Sequence, residues 1–493
     1  MAESEWNETG TYENLYERLT AYSDTDYYPF HMPGHKRAEI PFINPYKIDI
    51  TEIEGFDNLH HAQDVLLEAQ KRLEGLYQSR KSYYLVNGST CGILSAAGAC
   101  AKRGDSVIIA RNCHKAVYNA VKIFGLQADH VYPEFMQCGI QGQIRPQDIE
   151  KLLSERKNVR FVLVTSPSFD GIVSDIAQIA RIVHAHHAYL IVDEAHGAHF
   201  TFSRYFPESA VSQGADIVIH SLHKTLPSFT QTAALHIAGD LADEHKVEEM
   251  LGMFQTSSPS YLFMAGIDLC MNLLEKSGQE LFETYEQRLS WFYENCRELK
   301  SLHVLTSKDY EPYHVFDADK SKIVICTLRA EMNGKQLYEC LLRKYHLQLE
   351  MYSERYVLAM TSIMDTQEGF ERLLSALREI DEELNRNASQ EQSMELTVLQ
   401  RAYAAREKVL EISEAGYYNI EETPLEESSG RICGETVFLY PPGIPMIVPG
   451  EVISDDLVSV LEECRNMGLN IQGMKDKQKR KILTVAYRQE NRI

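Results

Sequence analysis

The sequence predicts an α/β fold: a mostly parallel central sheet with helices on both faces, joined to a smaller α/β C-terminal domain. Three observations carry that prediction. Short continuous apolar runs alternate with segments of helical period from about residue 80 to residue 240. Strands that are apolar on both sides need cover on both faces, which a parallel sheet with crossover helices supplies. Polar residues gather directly after the strands, where open α/β sheets place their ligands.

The strands expected, in order, are "SYYLVN" (Ser82–Asn87), "SVIIAR" (Ser106–Arg111), "FVLVTS" (Phe161–Ser166), "YLIVDE" (Tyr189–Glu194), "DIVIHS" (Asp216–Ser221) and "AALHI" (Ala233–Ile237). Between them lie patterns such as "IAQIARIVHAHH", apolar at three- and four-residue steps. From about 240 to 390 the pattern turns mainly helical, with one strand expected at "KIVICTL". The polar stretch "NRNASQEQS" (Asn385–Ser393) reads as a connector. Beyond it, the prolines of "ETVFLYPPGIPMIVPGE" (Glu435–Glu451) forbid a helix and make a stiff loop. At 493 residues, two or three domains are expected. The division read from the sequence is an N-terminal segment 1–75, a large domain 76–300, part of a small domain 301–390 and a C-terminal domain 391–493.

Hydrophobic residues at 44% and charged residues at 24% are ordinary globular values. The net charge of −22 argues against nucleic acid or an anionic membrane as partner, since either needs a basic face. It suits a cationic small molecule, although an acidic surface also simply keeps a protein soluble. Ten cysteines are scattered without a CxxC pair, so a reduced, cytoplasmic protein is expected. The start, "MAESEWNETGTYENLYERL", is acidic and lacks an apolar core, so no signal peptide is expected. No run approaches the ~20 apolar residues of a membrane span.

The chemistry-bearing residues follow the strands. In "VNGSTCG", Gly88, Ser89, Thr90 and Cys91 sit at a strand-to-helix turn. Free N–H groups at a helix start suit a phosphate, although an ordinary N-cap looks the same. In "ARNCHKAV", His114 lies just past a strand, as a catalyst or as a packed polar residue. "TSPSFDG" offers Ser166, Ser168 and Asp170 at a turn. In "IVDEAHGAH", Asp193 closes a strand and His196 follows three residues on. A carboxylate there could bind a metal or a protonated nitrogen. The nearby His184, His186 and His187 precede the strand on a helix-like segment, so no metal is expected. In "DIVIHSLHKTLPSFTQTA" the run Ile217–Ile219 stops at His220, Ser221, His223, Lys224 and Thr225. A lysine among small polar residues at such a place is a candidate Schiff base. The ligand that needs a phosphate cradle, an amine, a carboxylate and a ring-stacking side chain together is pyridoxal phosphate.

With these motifs in order, the sequence resembles the pyridoxal-phosphate decarboxylases of ornithine, lysine and arginine, which have the aspartate-aminotransferase-like fold (fold type I). The resemblance starts at "PFHMPGHKR" (Pro29–Arg37) and "EGFDNLHHAQ" and runs through the motifs above to "TSSPSYL" and "YPPGIPMIVPGE". It implies that 76–300 is the cofactor-binding domain and that Lys224 carries the cofactor as a Schiff base. Asp193 would pair with the pyridine nitrogen and His114 would stack on the ring. Ser89, Thr90, Ser221 and His223 would bind the phosphate, with Cys91 lending its backbone, and His196 would lie near the ring hydroxyl. Thr256 and Ser257 would reach the phosphate of a neighbouring subunit, which implies a homodimer or higher homo-oligomer.

Two positions depart from the family's pattern: Phe169 stands where Tyr is frequent, and Asn58 where a second acidic residue is common. The chain reaches "HMPGHK" after ~30 residues, so the wing domain of the larger bacterial members is not expected, nor their decamers. The implied reaction is loss of CO₂ from a basic amino acid, with Lys224 and then His223 as acids toward Cα. Arginine, giving agmatine, is the first substrate expected, with lysine and ornithine as alternatives. Glu54, Asp57 and Glu451 are candidate acceptors for the substrate's distal cation. A transaminase or acyltransferase of the same fold is the rival enzyme class; a cofactor-binding regulator is the non-enzymatic one.

Overall fold

The computed structural model describes residues 15–327, 330, 332–385, 398–440 and 443–486. Seven strands form the main sheet: β1 (Lys81–Leu85), β2 (Ser106–Ala110), β3 (Gln127–Val131), β4 (Val159–Thr165), β5 (Tyr189–Asp193), β6 (Ile217–His220) and β7 (Ala233–Ile237). Their order across the sheet is β1-β7-β6-β5-β4-β2-β3. Neighbours from β3 to β6 are parallel, and β7 runs antiparallel to both β6 and β1.

The apolar runs are continuous because alternate residues enter two different cores. Ile109, Leu163, Ile191 and Ile219 pack on one face with residues of α1 (Gly88–Cys100) and α2 (Lys115–Phe124). Ile108, Val162, Val164, Leu190, Val192 and Val218 pack on the other with α3 (Ile176–Ala185). Strand β3, "QADHV", escaped the sequence reading: it is an edge strand, so its polar residues stay partly exposed and give no apolar run.

After β6 the chain makes the four-residue helix α4 (Leu222–Thr225), and later the 35-residue α5 (Tyr261–Asn295). A second sheet follows, in the region expected to be mainly helical. Strands β8 (His303–Val304), β9 (Lys322–Cys326), β10 (Met351–Tyr352) and β11 (Tyr356–Met360) lie in the order β8-β9-β11-β10, all antiparallel. Only β9 was expected; β8 and β10 have two residues each, too few for a periodic signal. Ile323, Ile325, Val357 and Ala359 bury one face against α5 and α6 (Gln367–Asn385).

The C-terminal unit pairs β12 (Ile420–Pro424) with β16 (Lys481–Val485), and places β13 (Val437–Leu439) between β14 (Pro445–Ile447) and β15 (Ile471–Gln472). Helix α7 (Asp455–Asn466) packs Leu457, Val460 and Leu461 into this unit's own core. The proline-rich segment is strand and turn, except that Pro441 and Pro442 lie outside the described residues. All of the expected connector except Asn385, and the acidic start through residue 14, also lie outside them.

The cysteine reading needs one correction. Cys138 and Cys326 are joined as a disulfide across 188 residues, with Cα atoms 6.6 Å apart, while the other eight cysteines are free. A pairing between a loop and β9 leaves no spacing signature. Among the described residues, no helix is long and apolar enough to cross a membrane.

Candidate active site

The C-terminal ends of the parallel strands converge on one cavity of about 470 Å³. Asp193 is the last residue of β5, and Ser221 follows β6 directly. Lys224 lies on α4, one turn beyond. Ser89, Thr90, His114, Asp193, His196, Ser221, His223 and Lys224 all line this cavity. Eight of the residues singled out in the sequence thus meet, although they span 136 positions of chain from Ser89 to Lys224 (224 − 89 + 1).

Gly88, at φ +72, makes the turn into α1, a conformation that costs glycine little. Asn87 gives no side-chain cap there, so the first N–H groups of α1 are left for a ligand. The Ser89 and Ser221 hydroxyls lie 2.6 Å apart beside them. Cys91, expected to lend its backbone, lies in the first turn of α1; its side chain packs in the core, and burial pushes its thiol up to about 12.

His114 caps α2, its Nδ1 accepting from the Ala116 N–H at 3.2 Å. Burial, then Lys224 and Lys115, push its imidazole down to about 3, so it is neutral. Burial raises the Asp193 carboxyl, against the pull of Lys224. Burial lowers the Lys224 amine, opposed by Asp193 and Glu350. Lys224 Nζ lies 3.0 Å from His196 Nε2, and the edge of Phe169 packs on His196 with centroids 5.1 Å apart. His223 Nδ1 lies 2.8 Å from the Thr232 carbonyl, and its imidazole is pushed down to about 4, chiefly by burial.

The "HMPGHK" loop closes over α4. The Gly34 N–H donates to the His223 carbonyl at 2.7 Å, and a Cβ on Gly34 would lie 2.8 Å from the Leu226 oxygen. Only glycine allows that approach.

The sequence reading missed five neighbours. Asn112 and Thr165 line the cavity, and each keeps a buried side-chain oxygen without a partner among the described residues. Both sit at strand ends inside motifs already quoted, so position alone could have found them. Tyr440 comes from the C-terminal unit, and Glu350 and Lys322 from the second sheet's region. No local pattern marks these three. A second chamber of about 240 Å³ shares Phe169, Glu350, Tyr440 and Ile444 with the first. Tyr338, Tyr352, Tyr356 and Tyr403 help to wall it, with Asp170 and Gln141. Tyr356 donates to Asp170 at 2.8 Å, and burial pushes that carboxyl up to about 6.

None of the expected cation acceptors lines either chamber. Glu451 is buried and paired with Arg111 at 3.2 Å. Asp57 accepts from the N–H groups of Asn58, Gln63, Asp64 and Leu66 at 2.8–3.1 Å, fixing its own loop. Glu54 is exposed. Thr256 and Ser257 are also exposed, outside this cavity; Thr256 donates its N–H to Asn87 at 3.1 Å.

Comparison with known proteins matches this architecture. Residues 13–306 fit the family model of the Orn/Lys/Arg decarboxylase major domain, and residues 391–477 that of its C-terminal domain. An arginine decarboxylase of Bacillus subtilis is 28% identical over 94% of this chain and 95% of its own. The uncharacterized protein YaaO of the same organism is 32% identical, covering 96% and 98%. The crystal structure of the Francisella novicida lysine decarboxylase LdcF superposes with a TM-score of 0.77 at 19% identity, over 95% of this chain and 80% of that one.

Proposed function

The chain belongs to the Orn/Lys/Arg decarboxylase family, and from that premise we propose that it converts arginine to agmatine and CO₂ with pyridoxal phosphate held at Lys224. A pyridoxal-phosphate-dependent decarboxylase of a basic amino acid is the family's activity. The observation that carries the residue assignment is the convergence of a buried amine, a buried carboxylate and a capless helix start on one cavity.

The donor set fits the cofactor. The N–H groups at the start of α1, with Ser89 and Ser221, suit its phosphate. Asp193 would hold a proton on the pyridine nitrogen, and neutral His114 would lie against the ring. Asn112 and Thr165 offer oxygens that the protein leaves unsatisfied. When bound, pyridoxal phosphate supplies the electron sink for the pair left when the carboxylate departs. Lys224 is the residue we assign to return a proton to Cα. His223 suits that role less: a neutral ring facing a carbonyl through Nδ1 presents a lone pair at Nε2.

The second chamber supports arginine over shorter substrates. Glu350 stands where the chambers meet, and Asp170 and the unpartnered Gln141 oxygen lie beyond. A planar guanidinium can use several acceptors at once, which a point ammonium cannot. Tyrosine faces add cation–π contact.

We further propose the fourfold division at residues 75, 300 and 390, and a homodimer in which Thr256 and Ser257 serve the neighbouring site. Mixing Lys224→Ala chains with chains altered at both positions should then restore activity in mixed dimers. The test of the reaction is to supply arginine, lysine and ornithine to the cofactor-loaded protein and follow CO₂ and amine. Agmatine with stoichiometric CO₂ is expected; keto acid without CO₂ would move the protein to the transaminases.

A further inference from the structure

His196 is bridged by two lysines. Its Nε2 lies 3.0 Å from Lys224 Nζ and its Nδ1 lies 2.8 Å from Lys322 Nζ; His196 and Lys322 are buried, and Lys224 stands at the cavity wall. Lys322 opens β9, so it reaches His196 from the second sheet. Burial, then the charges of Lys224 and Lys322, keep the His196 imidazole far from ionising. A neutral imidazole has one N–H and one lone pair. It can therefore accept from one lysine only and must donate to the other, which must then be an unprotonated amine.

We propose that Lys322 is a positioning residue: its ammonium donates to His196 Nδ1, which fixes the N–H on Nε2, and that N–H donates to Lys224 and holds it as the neutral amine. Only the neutral amine attacks a carbonyl, and a neighbouring cation is one way enzymes keep a lysine unprotonated. This inference rests on the reading of Lys224 as the cofactor-binding lysine.

More of the surrounding carboxylates face Lys322 than face Lys224. Asp319, Glu350 and Asp170 face Lys322, and Asp319 also meets His199 at 3.1 Å. Lys224 faces Asp193 and Glu350, and Asp193 has a competing task at the pyridine nitrogen. His114 and His223 also face His196, and both are neutral. Burial lowers Lys322 to about 7 even so, which makes a shared proton between the two amines sensitive to small changes. Phe169 packs in edge contact with His196.

The test uses the full chain stripped of cofactor. Capture of pyridoxal phosphate, trapped with borohydride and mapped by peptide mass spectrometry, is followed from about pH 6 to about pH 10, which spans the range of a perturbed lysine. Lys322→Met should raise the midpoint of capture by about one pH unit or more, because Lys224 gains a proton more easily. Lys322→Arg, which keeps a charged donor, should stay near the wild type. In a His196→Phe background, Lys322→Met should add little, since the bridge is already cut. Histidine-labelled wild-type protein, which needs no variant to fold, should show His196 as the neutral Nε2–H tautomer in its nitrogen spectrum.

An unshifted midpoint in folded Lys322→Met, or an Nδ1–H tautomer, would overturn the role of Lys322 while leaving Lys224 as the trapped residue. An undiminished shift in the His196→Phe background would replace the bridge with direct repulsion. An adduct on another lysine would overturn the reading of Lys224 and this inference with it.

Discussion

Two buried cations, Arg111 and Lys224, sit in opposite circumstances. Arg111 donates to the Tyr118 hydroxyl at 2.7 Å, to the Pro445 and Met446 carbonyls at 3.0 and 3.2 Å, and to Glu451 at 3.2 Å. Burial opposes its charge, but Glu451 and Tyr118 outweigh burial and raise it above the ordinary value. Lys224 has one side-chain partner within reach, the neutral His196, and its amine is lowered. The same burial therefore locks one cation in its charged form and loosens the other. A cation surrounded by acceptors is a bolt between the main sheet and the C-terminal unit. A cation left short of acceptors is a reactive amine.

Each half of that contrast can be broken. Lys224→Ala should abolish CO₂ release, the largest effect, and remove the visible absorbance of bound cofactor that borohydride bleaches. Arg111→Met should cost about 3–5 kcal/mol of stability by denaturant unfolding, since it strands the buried Glu451 carboxylate. Arg111→Met/Glu451→Leu should recover part of that loss, and neither change should alter substrate preference. Asp193→Asn should lower kcat on the order of 10²-fold while cofactor still binds, because a charge aimed at the reacting system is lost. A rate near wild type would contradict its role. Glu350→Gln should raise KM for arginine about tenfold, one charged contact's worth, and leave slow turnover of norleucine unchanged.

The sequence made the Lys224 side of the contrast legible and the Arg111 side opaque. Lys224, Asp193 and His114 each follow an apolar strand, so position plus residue type marks them. The pairing of Arg111 with Glu451 spans 340 positions and leaves no local trace, which is why Glu451 was read as a substrate acceptor. The structure gives "YPPGIPMIVPGE" a different use: its carbonyls and its final carboxylate receive Arg111.

Strand alternation hides a second set. Asp193 points into the cavity, so Glu194 beside it turns away. It meets His220 at 2.6 Å and Ser209 at 2.5 Å, and His220 continues to His236 and Ser82. The second histidine of "HSLHK" faces the cavity and the first belongs to this strut. Lys322 opens a strand that the sequence does show, and Glu350 lies beside the two-residue β10, but neither carries a local sign that the second sheet brings it to the site.

The most direct measurement is to reduce the cofactor-loaded protein with borohydride and locate the adduct among its lysines. Three of them, Lys36, Lys224 and Lys322, are buried with lowered amines, so burial alone does not choose between them. Lys36 is held by the Pro29, His31 and Met360 carbonyls at 2.6–3.0 Å, and Lys322, which bonds the same His196 as Lys224, does not line the cavity. The lysine that lines the cavity should carry the whole of the label, on the peptide containing Lys224. Label on Lys36 or Lys322 instead would contradict the account.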